Sequence, residues 1–118
     1  MNQVQLPIKN HRLARRRSAK PGLRVKCLKG TMGIGKNLAV GILDISETGV
    51  RLVISADLEK NQDIELEFMM PQQSKAMKVI ASVSWCVALL DGTYCIGAAF
   101  KHSLSYSDFS VIAQFSHN

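Results

Sequence analysis

The stretch ILDISETGVRL, Ile42 to Leu52, decides how this chain folds. Two runs of strand-forming residues meet there at Ser46-Glu47-Thr48-Gly49, a set that turns a chain back on itself. Upstream, NLAVGILDIS (37–46) is β-rich, and Gly41 inside it marks a bulge or a bend. Downstream, VRLVI (50–54) places Val50, Leu52 and Ile54 on one face. A strand, a tight turn and a returning strand are expected, with Asp44, Ser46 and Gly49 at the junction in the order D-x-S-x-x-G. The oxygens of Asp44 and Ser46 suit backbone amides in a turn. Gly49 permits either a positive φ or a close backbone approach.

The alternation recurs on both sides. LRVKCLK (23–29) is a first strand. DIELEFMM (63–70) turns Ile64, Leu66 and Phe68 inward and leaves Glu65 and Glu67 on a solvated face. KAMKVIASVSWCVAL (75–89) puts Met77, Val79, Ala81, Val83 and Trp85 on one face, with Lys78, Ser82 and Ser84 on the other. YCIGAAF (94–100) returns after the Asp91-Gly92 hairpin signal. The segments GTMGIG (30–35), SADLEKNQ (55–62) and PQQS (71–74) read as loops. SLSYSDFSVIAQF (103–115) reads as a helix with Ser105 as N-cap, Asp108 three residues on, and Phe109, Ile112 and Ala113 on one face. Six short strands, no internal repeat and one terminal helix predict a mainly β domain, a small antiparallel barrel or sandwich. Closing the sheet would remove exposed edges, and the helix would cover an open end.

Charge is distributed unevenly. The 118 residues carry a formal net charge of +6. Residues 1–43 hold ten Lys and Arg and no acid, whereas residues 44–118 hold five Lys and Arg and nine acids. Most of the arginine lies in RLARRRSAKPGLR, Arg12 to Arg24. Residues 1–22 have no apolar periodicity and read as a flexible basic arm, with residues 23–118 as the folded domain. Such an asymmetry points to an acidic partner for one region of a near-neutral domain.

Several function classes are set aside. No apolar run is long enough to cross a membrane as a helix, and no signal-peptide segment follows Met1. Cys27, Cys86 and Cys95 are odd in number, form no CxxC, and read as reduced thiols of a cytoplasmic protein. Gly30-x4-Gly35-Lys36 has P-loop spacing, but Asn37 stands where the magnesium-binding Ser or Thr belongs, and a strand-like run follows in place of a helix. His11, His102 and His117 make no metal or catalytic motif. No catalytic residue, metal ligand or cofactor is assigned, and the chain is not read as an enzyme. Single-stranded nucleic acid is disfavoured, because the arm has no aromatic residue and Phe68, Trp85 and Phe100 hold core-like positions.

Two motifs in order carry a resemblance. Arg12 and Arg16 form R-x-x-x-R on the arm, and Asp44, Ser46 and Gly49 form D-x-S-x-x-G one strand and a loop later. With Gly97 and Phe100 in a G-x-x-F near the end, residues ~12–115 resemble the PilZ domain family, bacterial receptors for the second messenger cyclic di-GMP. The resemblance implies a six-stranded antiparallel β-barrel that binds the dinucleotide between the arm and the strand turn. Arg12 and Arg16 would be the main contacts, with Arg15 and Arg17 adding charge. Asp44, Ser46, Gly49 and Arg51 would form the barrel side. Guanidinium groups suit this ligand, since they pair bidentately with phosphate and with the O6/N7 edge of guanine. Output would pass through a protein partner. Lys20 and Arg24 share the four-residue separation nearer the first strand. That register would make the arginine motif degenerate and the domain a ligand-independent interaction module.

Overall fold

In the computed structural model, which describes residues 17–19, 23–70, 76–113 and 116–117, the six alternating runs are all strands. They are β2 (Arg24–Lys29), β3 (Ala39–Ile45), β4 (Gly49–Ile54), β5 (Asp63–Met69), β6 (Met77–Ala88) and β7 (Tyr94–Phe100). Two short strands, β1 (Arg17–Ala19) and β8 (Ser116–His117), and one helix, α1 (Tyr106–Ala113), complete the described elements. The sheet order is β2-β5-β6-β7-β4-β3-β1-β8, and the pairings are antiparallel.

The six long strands nearly close into a barrel. Between β2 and β3 the closure is made by one bond from Leu38 N–H to the Cys27 carbonyl, at 2.8 Å, and by Asn37. The Asn37 side-chain Oδ1 accepts from the backbone N–H of both Cys27 and Ala39, each at 2.9 Å. The residue that breaks the P-loop pattern therefore closes the barrel, and an extended segment, not a helix, follows Lys36.

The inward face is as the alternation predicts for most strands. Ile64, Leu66 and Phe68 of β5, Val50, Leu52 and Ile54 of β4, and Ile96 and Phe100 of β7 share one core. Phe68 and Phe100 meet edge to face, with centroids 6.4 Å apart. Burying side chains of this size contributes roughly 1.5–3 kcal/mol each. Cys27 lies fully buried in the same core, and desolvation pushes its thiol up to about 11. The helix begins where the sequence predicts. Ser105 caps it, its Oγ accepting from Asp108 N–H at 3.1 Å, and Ile112 joins the barrel core.

Two side chains depart from the alternation. Glu65 was expected on a solvated face, yet it is only 6% exposed. It does point away from the core, but the glycine-rich loop lies over it: a Cβ on Gly33 would sit 3.7 Å from Glu65 Oε2. That oxygen has no hydrogen-bond partner. Trp85 was expected in the core, yet it is 41% exposed. The β6–β7 register passes from Val83↔Ala98 to Trp85↔Gly97, so Ser84 is an extra, bulged residue. A one-residue insertion reverses which face each later side chain occupies, and Trp85 goes outside. In β3 the expected irregularity at Gly41 is present, and a second register shift follows between Ile42 and Asp44.

The connections segregate to opposite ends. The β2–β3 loop, the β4–β5 loop and the β6–β7 hairpin gather at one end, as the pairs Lys29↔Ile64, Ala39↔Ile54 and Ile54↔Tyr94 require. The β3–β4 turn and the link from β7 to α1 lie at the other, joined by Leu104 N–H bonding the Glu47 carbonyl at 2.8 Å.

Candidate functional site

The β3–β4 turn is a tight, internally bonded unit. Ser46 N–H donates to the Gly49 carbonyl at 2.8 Å. The Ser46 Oγ accepts from Thr48 N–H at 3.3 Å and lies 3.3 Å from the Thr48 hydroxyl. Ser46 is 2% exposed, so its hydroxyl serves the turn in this arrangement. Gly49 has no positive φ; its need for glycine is one of space. A Cβ there would stand 2.6 Å from the Ala98 carbonyl oxygen on β7.

Asp44 and Arg51 face each other across the β3–β4 pair. The Arg51 Nε–H donates to Asp44 Oδ2 at 2.8 Å, and an Nη2–H of the same guanidinium donates to the same oxygen. This bond to Asp44 is the main cause of the raised pKa of Arg51. Asp44 is largely buried while the Arg51 side chain is 41% exposed. The pair thus presents a fixed carboxylate and a guanidinium with donors left over, since an arginine carries five N–H groups.

The arm reaches this pair through its backbone. Strand β1 runs antiparallel to β3, with Arg17 opposite Ile45 and Ser18 opposite Asp44, and β8 pairs with the other side of β1. Part of the segment expected to be a flexible arm is therefore a strand on the barrel. Arg12, Arg15 and Arg16 lie outside the described residues, as does Lys20. Arg24 is exposed on β2 opposite Met69.

Beyond Arg51 the same row continues across the outer surface. Arg51 pairs with Gly97 of β7, and Gly97 with Trp85 of β6. A cleft of about 150 Å³ lies here, lined by Thr48, Gly49, Ser84, Trp85, Gly97 and Ala99. The sequence reading missed Trp85 as a surface residue because nothing in the alternation announces the bulge at Ser84. Its exposure weakens one of the two grounds for disfavouring nucleic acid, although Phe68 and Phe100 do lie in the core. Among the described residues no group of three or more His, Cys, Asp or Glu is placed to hold a metal ion. No helix among them is long and apolar enough to cross a membrane.

Residues 11–117 match the PilZ domain family, and the chain belongs to it. That match includes both the arginine run and the β3–β4 turn. Two solved structures are similar in fold. The Bacillus subtilis inhibitor of motility MotI/DgrA superposes with a TM-score of 0.62 at 14% identity, over 89% of this chain and 48% of that one. The K. pneumonia MrkH–c-di-GMP complex superposes with a TM-score of 0.59 at 21% identity, over 88% of this chain and 50% of that one. The chain thus spans about half the length of either. No curated protein matches it.

Proposed function

We propose that this chain is a cyclic di-GMP receptor that binds the dinucleotide between the arginines preceding β1 and the outer face of β3 and β4. The observation that carries this reading is the β1–β3 pairing, which joins the backbone just after Arg16 to the strand that holds Asp44. It favours the Arg12/Arg16 register over Lys20/Arg24, whose Arg24 lies on β2 opposite β5. Membership of the PilZ family and the fold shared with the MrkH complex support the same ligand.

The parts divide the chemistry. Arg12 and Arg16 pair with the phosphodiesters, with Arg15 and Arg17 adding positive charge. Arg51, anchored by Asp44, turns its remaining donors to the ligand. Ser46 and Gly49 hold the shape of the turn beneath it. Four to six charge-assisted hydrogen bonds at about 1.5–3 kcal/mol each exceed an ordering cost of about 2–5 kcal/mol, enough for micromolar binding. The domain acts as a non-catalytic, cofactor-independent cytoplasmic receptor, and its ligand-bound surface is read by a protein partner.

Calorimetric titration with cyclic di-GMP tests this. Binding is expected, and Arg16→Ala should weaken it by about 2–5 kcal/mol. Unchanged affinity in Arg16→Ala would move the site off this register. Absence of binding would leave the second reading, a ligand-independent protein-interaction module. The exposed apolar side chains Met32, Ile34 and Leu90 at the end of the barrel away from the turn favour that alternative.

A further inference from the structure

Three large apolar side chains stand in solvent at the end of the barrel away from the β3–β4 turn. Met32 is 80% exposed, Ile34 71%, and Leu90 fully. They belong to two tips: Met32 and Ile34 lie on the β2–β3 loop, and Leu90 in the β6–β7 hairpin. With the seam closed between β2 and β3, the order β2-β5-β6-β7-β4-β3 puts these connections on opposite sides of the rim. The β4–β5 loop crosses the mouth between them. Its Leu58 is buried in the core, and its Asp57 accepts from the Cys86 thiol at 3.4 Å.

The β2–β3 tip is basic. Lys29 and Lys36, both exposed, bracket Met32 and Ile34, and residues 29–37 hold no acid. Gly33 seats the loop over Glu65, and the side chains on either side of it turn outward. A cleft of about 250 Å³ opens beside Ile34, with Lys29, Lys36, Leu38, Leu58 and Asp57 among its walls. At the other tip Asp91 is turned back onto Thr93, accepting from its N–H at 3.0 Å.

Exposed apolar groups of this size mark a surface that binds protein or lipid. The arrangement favours lipid. A protein would have to supply separate pockets for two tips that stand across the rim from one another. A bilayer is a plane that meets both at once and takes in protruding side chains without complementary shape. Lysines at its surface reach the phosphates while apolar neighbours enter the layer below. A loop with three positive-φ glycines, Gly30, Gly33 and Gly35, is a poor frame for an exact fit and a sufficient one for insertion.

We propose that this end of the barrel docks on an anionic lipid bilayer, with Met32, Ile34 and Leu90 inserted at the headgroup boundary and Lys29 and Lys36 paired with lipid phosphates. The β3–β4 turn, at the other end, stays open, so docking and ligand binding are compatible. The proposal stands apart from the cyclic di-GMP reading.

Sedimentation of the full-length chain with vesicles tests it. Binding is expected to vesicles of phosphatidylcholine and phosphatidylglycerol in equal parts, and much less to phosphatidylcholine alone. Ile34→Asn and Leu90→Asn should each weaken it about 10-fold. Lys29→Gln and Lys36→Gln should each weaken it about 5-fold. The basic residues between Arg12 and Arg24 also attract anionic lipid, but that attraction is electrostatic and salt removes it. Insertion of the tips leaves a salt-resistant remainder, which the Ile34→Asn/Leu90→Asn double variant should abolish. Circular dichroism melts of the variants check that the barrel is retained. If nothing stays bound at high salt, or the double variant stays bound as well as the wild type, docking is overturned and the tips are left to a protein face.

Discussion

Strand β3 is flanked by two glycine-marked connections, and they use glycine for different reasons. At its start, the loop through Gly30, Gly33 and Gly35 has all three in positive-φ conformations, with open space or ordinary contact where a side chain would go. At its end, Gly49 has an unremarkable φ and no room, pressed against the Ala98 carbonyl. The first connection is permissive: it carries exposed Met32 and Ile34 and is tied down mainly by Asn37. The second is constrained, cross-bonded within itself and to the β7–α1 link. A site needs the second kind of turn, because groups aimed at a ligand must be held by something that does not yield.

Substitutions can break this contrast or sharpen it. Gly49→Ala should have the largest effect, about 3 kcal/mol, since the neighbour it meets is backbone and cannot swing away. The measurement is the urea midpoint at unchanged slope. Asn37→Ala should follow at about 2 kcal/mol, because it leaves the Cys27 N–H without its acceptor at the barrel seam. It should not alter cyclic di-GMP affinity. Arg51→Met should cost about 1 kcal/mol of stability, discounted for the exposure of the guanidinium, with the cost shrinking in high salt. In contrast to Asn37→Ala, it should weaken cyclic di-GMP binding in calorimetry. Gly33→Ala should be the mildest in its effect on the site, about 1 kcal/mol of stability from the strain of a positive φ with no clash, and leave binding intact. Should Gly33→Ala prove as costly as Gly49→Ala in the same urea series, the division into a permissive and a constrained connection would collapse.

The strands were legible because a half-buried sheet imposes a two-residue period. The run at 63–70 read correctly as a strand from side-chain alternation, and the return at 94–100 from the turn chemistry of Asp91-Gly92: Gly92 takes a φ of 88°. The β3–β4 turn was legible for the same local reason, since its polar residues and Gly49 must occupy fixed places around one connection. The errors are at Glu65 and Trp85, where something distant in sequence intervenes. Glu65 has the outward parity the sequence predicts, but a loop from residues 30–37 covers it. Trp85 has the inward parity by counting, but the register against β7 inserts Ser84 and reverses it.

The sequence by itself thus determined the strand content, the hairpin turns and the family resemblance, all of which follow from local periodicity, composition and spacing. Tertiary structure alone decided that Asn37 closes the barrel, that β1 lies alongside Asp44, and that Trp85 rests on Gly97 in line with Arg51. Each of these depends on register between strands far apart in the chain. A single bulge changes that register without leaving a mark in the residues that form it.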